Sequence, residues 1–332
     1  MAVKFQPSNW GRWVWAMLSL GLILLFDLLF VPGFFAIEIR DGHLFGSLID
    51  ILNRGAPVML LAIGMTLVIA TGGVDLSVGA TMAIVGSVAA LMVSKGHPSV
   101  VAVLLVCLLV ATALGLWNGV LVAVFRIQPI VATLILMVSG RGIAQLLTDG
   151  QVIPFDDKAL GFIGGGFLFK VPFSITLVLL TLAATALLTR RTALGLFIES
   201  VGNNGIASRY AGIDVRSVQL FVYAFSGFCA GVAGLVATSN IRAADANNTG
   251  LNLELDAILA VVIGGTLLTG GRFQLVGSLL GALVIQALTT TILTKGVPIE
   301  YTLVVKALTV LAVCLLQSER FRAAFRAPRR AA

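Results

Sequence analysis

Charge is scarce in this 332-residue chain: Asp, Glu, Lys and Arg make up 11% of it, where a soluble domain carries roughly 25%. With 58% hydrophobic residues and a mean hydropathy of +1.04, one water-exposed fold cannot bury the apolar surface, so the bilayer is the solvent. Cysteine is also rare. Cys107, Cys229 and Cys314 all lie inside apolar runs, with no CxxC and no ligand spacing, which excludes a zinc site and argues against disulfides. The two histidines, His43 and His97, fall in short connecting segments and receive no role. No GxxxxGK[ST] loop is present, so this chain does not itself hydrolyse ATP. The net charge of +7 does not indicate nucleic acid, because the basic residues collect in a few loops and the tail.

What is abundant is long apolar sequence. A span takes about 20 mostly apolar residues. Ten are read, at roughly 14–33, 56–71, 76–94, 99–125, 129–148, 171–189, 218–238, 255–270, 275–294 and 298–317. The expectation is an all-α polytopic membrane protein of about ten transmembrane helices, forming a single transmembrane domain over residues 1–332. Pro57, Pro98, Pro129 and Pro298 lie at or beside span starts, where a missing amide hydrogen costs nothing. A secretory signal over residues 1–36 is rejected, since the run from Val14 to Val31 is too long and contains Asp27. Gly is frequent at 36 residues, as close helix packing in lipid requires.

Basic residues set the orientation. An even number of spans puts both termini on one side, with Lys4, Arg12, Arg126, Arg190, Arg191, Arg209, Arg216, Arg272 and the tail arginines from Arg320 to Arg330. The opposite loops hold only Arg40, Arg54, Lys95, Lys158, Lys170, Arg242 and Lys295. The richer side is expected to be cytoplasmic. That makes 190–217 a cytoplasmic loop, 239–256 a periplasmic loop and 318–332 a basic cytoplasmic tail. Spans two to five and seven to ten read as two related four-helix halves around span six. Gly115-Leu-Trp-Asn-Gly and Gly277-Ser-Leu-Leu-Gly occupy matching places in them, and internal repeats are a common way to build a transporter.

Polar residues at membrane depth are the candidate functional groups. In Gly72-Gly-Val-Asp-Leu-Ser-Val-Gly, a glycine pair, Asp75 and Ser77 interrupt two apolar runs. Broken backbone of this kind faces protein or a water-filled cavity. Asp75 reads as an N-cap and hinge for the following helix, or as a group lining the mouth of a pore. Arg141 lies mid-span and needs an acidic partner or helix-end carbonyls. Lys306 also lies mid-span, and its partner is sought among Asp256, Glu254 and backbone carbonyls. Asn118, Thr133, Asn240 and Gln286 offer neutral donors and acceptors to passing hydroxyls, or hydrogen-bond between helices. Trp117 can stack on a passing ligand or simply pack. Leu194, Phe197, Ile198 and Val201 would share one face of a short helix, suited either to a groove on a partner or to the membrane surface.

These stretches resemble the membrane-spanning permeases of bacterial ABC sugar importers, the ribose-type permease family. The likeness rests on Gly72-Gly-Val-Asp-Leu-Ser-Val-Gly-Ala, Gly119 to Thr133, Leu194 to Asp214, and Leu255-Asp-Ala-Ile-Leu-Ala-Val-Val-Ile-Gly-Gly-Thr followed by Gly270-Gly. Asp41 to Arg54, Ile127 to Val138 and Arg242-Ala-Ala-Asp-Ala-Asn-Asn resemble the galactofuranose-type branch. The resemblance implies a type II-like importer permease that works as a dimer, with a second copy or a paralogue. It implies an ATPase subunit that carries the ATP and Mg, and a periplasmic sugar-binding protein. Leu194, Phe197, Gly202, Asn203, Ala207, Gly212 and Ile213 would then couple to the ATPase. Arg242, Asp245, Asn247, Asn248 and Glu254 would meet the binding protein or form the outer gate. A branched-chain amino acid permease, an ion-coupled secondary transporter and a non-transporting scaffold are the rival readings.

Overall fold

The computed structural model describes residues 10–40, 43–96, 99–296, 298 and 300–317. His97, Pro98 and the basic tail, together with Lys4, lie outside them. Among the described residues, twelve helices run in the order α1 (Trp10–Phe30), α2 (Ser47–Ala70), α3 (Val78–Ser94), α4 (Val100–Ala123), α5 (Pro129–Leu147), α6 (Lys158–Gly165), α7 (Phe173–Arg191), α8 (Leu194–Tyr210), α9 (Val215–Ile241), α10 (Leu253–Ile263), α11 (Leu275–Thr294) and α12 (Glu300–Gln317). Three two-stranded sheets complete the described chain: β1 (Glu38–Arg40) with β2 (His43–Phe45), β3 (Ile153–Pro154) with β6 (Ala243–Ala244), and β4 (Phe167–Leu168) with β5 (Val171–Pro172).

Seven helices among the described residues are long and apolar enough to cross a membrane: α1, α2, α4, α5, α7, α9 and α11. Each of the ten apolar runs read from sequence falls on a helix, but two of those helices are short. Helix α3 has 17 residues and α10 only 11, about 16 Å at 1.5 Å per residue, so α10 cannot cross the hydrocarbon alone. Helix α2 starts at Ser47, well before residue 56, because Asp50, Asn53 and Arg54 depress hydropathy in a stretch that is helical all the same. Pro57 is therefore inside the helix, a correction to its placement at a span start. Pro129 does stand at the first turn of α5.

Helices α2 and α9 form the centre. Every residue of α2 from Gly55 to Ala70 is buried. Helix α4 packs on α9 and α11 on α2, while α3 lies against α9 and α10 against α2. The α4–α9 contact is glycine on glycine: a methyl at Gly115 would come 2.9 Å from the Gly227 Cα. Such backbone approach is how helices gain packing energy where water is absent. Peripheral α1 and α4 turn Leu22, Leu25, Leu29, Leu105 and Leu109 outward, as lipid-facing helices do.

Candidate functional site

Between α2 and α3 the chain abandons helix from Thr71 to Ser77. Gly72 takes φ +81°, open to glycine at little cost, and turns the backbone away from the α2 axis. The break carries Asp75 into the protein, where 1% of it is exposed. One carboxylate oxygen accepts from the Ser77 amide at 3.1 Å, the Ser77 hydroxyl at 2.7 Å and the Asn118 amide at 3.5 Å; the other accepts from the Ser226 hydroxyl at 2.8 Å. Asn118 also donates to Ser77 Oγ at 2.8 Å. The Val74 carbonyl accepts from Thr133 and Tyr223, each at 3.4 Å. The break is thus tied to α4, α5 and α9 at once. This differs from the expected cap: Ser77 is the residue before α3, and Asp75 binds across the bundle instead of capping that helix.

Of the pathway candidates, Asp75, Ser77, Asn118 and Thr133 come together here. The others do not. Trp117 points out of α4, 54% exposed. Asn240 is exposed at the far end of α9, and Gln286 is half-buried on α11, bonded to Thr290 at 3.4 Å and pressed on Gly55 of α2. Ser226 and Tyr223 were missed by sequence reading. Their signal is positional, since both share a helical turn with Gly227 on an α9 face crowded with small residues.

A second polar cluster lies across α3. The segment 243–252 folds inward; Ala244, Ala246 and Gly250 are buried. Arg141 donates to the carbonyls of Ala246 at 3.0 Å and Thr249 at 2.6 Å, and Gln145 donates to Asn247 at 2.7 Å. Asp245 accepts from the amides of Asn247 and Asn248 and from the Asn248 side chain, which folds the turn. Arg141 stands about 18 Å along α5 from Pro129, so the segment reaches membrane depth. Glu254 is 2% exposed, and a methyl at Gly79 would sit 2.3 Å from its Oε2. The first turns of α3 and α10 therefore meet at depth, where the α3 macrodipole favours a carboxylate. This corrects one docking candidate, the buried Glu254; Asp245 is half-buried in a turn, and Arg242, Asn247 and Asn248 remain exposed. Arg242 faces Asp156 at 3.8 Å. Lys306 pairs with Asp256 at 2.8 Å, and Asp27 is buried and accepts from Thr291 at 2.9 Å.

Replacing Arg141 with methionine removes two charge-assisted bonds and is expected to loosen 243–252 by about 3 kcal/mol. Hydrogen exchange of that segment should rise about a hundredfold, since each 1.4 kcal/mol is about a factor of ten, while α9 stays protected.

Helix α8 is two pieces. Asn204 leaves helical geometry (φ −161°, ψ 96°), and its side chain caps the second piece through the amides of Ile206 at 3.1 Å and Ala207 at 3.0 Å. The face expected to be apolar splits in use. Ile198 and Val201 are buried and Leu194 half-buried against the body, while Phe197 is 37% exposed. The outward apolar residues are Leu196, Ile206 and Tyr210, the last 91% exposed. Gly202 and Ile213 are half-buried, and Asn203, Ala207 and Gly212 exposed. A hydrogen bond from the Ser217 hydroxyl holds the Asp214 carboxyl below the usual carboxylate range as it caps α9. Arg126, Arg190, Arg191, Arg209, Arg216 and Arg272 are all exposed.

A polytopic helical bundle, with helices broken at membrane depth around buried hydrogen-bonding side chains, defines a multi-pass membrane permease. The chain belongs to the branched-chain amino acid transport system / permease component family, whose model matches residues 47–314. It is 54% identical to the galactofuranose transporter permease protein YtfT of Escherichia coli (strain K12), over 95% of this chain and 93% of that one. It is 39% identical to the fructose import permease protein FruF of Bifidobacterium longum (strain NCC 2705), over 92% and 87%. It is 36% identical to the ribose import permease protein RbsC of Haemophilus influenzae, over 94% and 97%. No solved structure matches the chain at a significant level.

Proposed function

We propose that this chain is the membrane-spanning subunit of an ATP-binding-cassette importer, carrying a monosaccharide inward across the bacterial inner membrane. The sugar is galactofuranose or a similar aldose, a reading supported by the near full-length likeness to a permease named for galactofuranose. The observation that carries the mechanism is α8: a kinked surface helix presenting Leu196, Ile206 and Tyr210 beside exposed arginines. That is a surface for an ATPase subunit, which supplies ATP and Mg. Residues Leu194 to Asp214 lie within the cytoplasmic loop 190–217, both termini share its side, and 318–332 is a basic cytoplasmic tail.

Ten helices lie in the membrane, α3 and α10 as half-spans, within one transmembrane domain over 1–332. Two related four-helix halves, α2–α5 and α9–α12, account for the exchanged packing of α4 on α9 and α11 on α2. The outer segment 239–256 acts as the gate, fastened by Arg141, and Arg242, Asn247 and Asn248 meet a periplasmic sugar-binding protein. The passage forms between this chain and a second copy or paralogue. Sugar hydroxyls would meet neutral groups such as Asn118 and Thr133, weakly enough to leave.

Competition decides the cargo class. Uptake of labelled galactofuranose should be suppressed by excess unlabelled galactofuranose and unaffected by leucine. Suppression by leucine alone would make this an amino acid permease.

A further inference from the structure

We propose that Gly202 is the junction through which motion of α8 enters both half-helices, α3 and α10, as one rigid step. The proposal rests on α8 being the ATPase-coupled element and adds how the work travels from there.

Three chain segments meet at Gly202 with no room between them. A methyl on Gly202 would lie 1.8 Å from the Ala70 carbonyl oxygen, where α2 ends, and 2.5 Å from the Gly271 amide nitrogen, in the α10–α11 connection. Those two groups are themselves joined, the Gly271 amide donating to the Ala70 carbonyl at 2.8 Å. A methyl on Gly270 would lie 2.9 Å from both the Gly202 carbonyl oxygen and the Gly72 amide nitrogen. Gly270 and Gly271 hold φ of +87° and +96°, which a side chain would oppose. Asn203 closes the site, its Oδ1 2.8 Å from where a methyl on Gly271 would stand.

From this point the chain runs into each half-helix by a short path. Ala70 leads through the Asp75 break to the first turn of α3. Gly271 belongs to the connection that follows α10. The first turn of α3 meets the end of α10 remote from Gly271 where Gly79 packs on Glu254. Backbone packed on backbone cannot absorb a displacement by side-chain rotation, as interiors are close-packed and shift between discrete arrangements. A push on α8 therefore moves the ends of α2 and α10 together, and the breaks above them repack.

The test uses the complete transporter with Gly202→Ala. Sugar uptake, counted per transporter that co-purifies with the ATPase subunit, should fall at least about tenfold, in the range of measured site-to-site couplings. Uptake at the wild-type level would overturn the proposal. If the variant fails to assemble, spin labels at Glu199→Cys and Arg272→Cys, which leave Gly202 intact, give the answer. Their separation should stay constant through the nucleotide cycle, and a nucleotide-dependent change would overturn the rigid junction. Failure of the wild-type chain to bind any ATPase is a separate outcome that removes α8 as the coupled element.

Discussion

Asp75→Ala is expected to destabilise the permease by about 3 kcal/mol and to reduce uptake by at least about tenfold. The carboxylate accepts from Ser77, Ser226 and Asn118, so its loss leaves buried donors on α4, α9 and the break itself without partners. Water cannot easily replace them at a site 1% exposed, and an unmet buried donor costs more than a mean hydrogen bond is worth. Asp75→Asn is the informative comparison. It keeps an acceptor for Ser77, and the Ser226 hydroxyl can turn to accept from the new amide. It should retain most of the stability and part of the uptake. Equal loss in both variants would mean that the negative charge, not the hydrogen-bond tie, is what matters. Thermal unfolding of the purified subunit, followed with uptake in the same preparations, measures both effects.

Ile206→Asp with Tyr210→Asp is expected to abolish recovery of the ATPase subunit, weakening the complex by at least about a hundredfold. Tyr210 is 91% and Ile206 74% exposed, so neither substitution disturbs the interior. Both project from the second piece of α8, which the Asn204 side chain starts. Membrane insertion and the Asp75 ties should survive, as should the fold of α9, whose cap comes from Asp214. The same pair placed at Ile198 and Val201 would unfold α8 from the body, because those side chains are buried. Comparing the two pairs separates a docking defect from a folding defect.

Much of this architecture could be read from the order of residues, and the misses have physical causes. Each of the ten apolar runs falls on a helix, and seven of those described helices are long and apolar enough to cross a membrane, because lipid demands long apolar runs. Hydropathy placed the start of α2 too late, because polar residues in a buried helix look like loop. The Asp75 break was visible as glycine and carboxylate amid apolar sequence, but its partners were not. Ser226 and Tyr223 lie about 150 residues away, and no local pattern reports a contact at that separation. The segment 239–256 misled for the opposite reason: its Asn and Asp content reads as solvated, yet Arg141 bonds the Ala246 and Thr249 carbonyls and Glu254 is buried, while Arg242, Asn247 and Asn248 do stay exposed. On α8 the apolar periodicity marked the residues that pack on the body, Phe197 excepted, whereas Leu196, Ile206 and Tyr210 fall outside that stripe.

Reconstitution into sealed vesicles with the ATPase subunit and the sugar-binding protein addresses ATP-driven import most directly. With ATP supplied on the side that bears Arg209, labelled sugar should accumulate on that side and continue to do so when ionophores collapse every ion gradient. Accumulation that needs no ATPase, or that stops with the gradient while ATP remains, would contradict it.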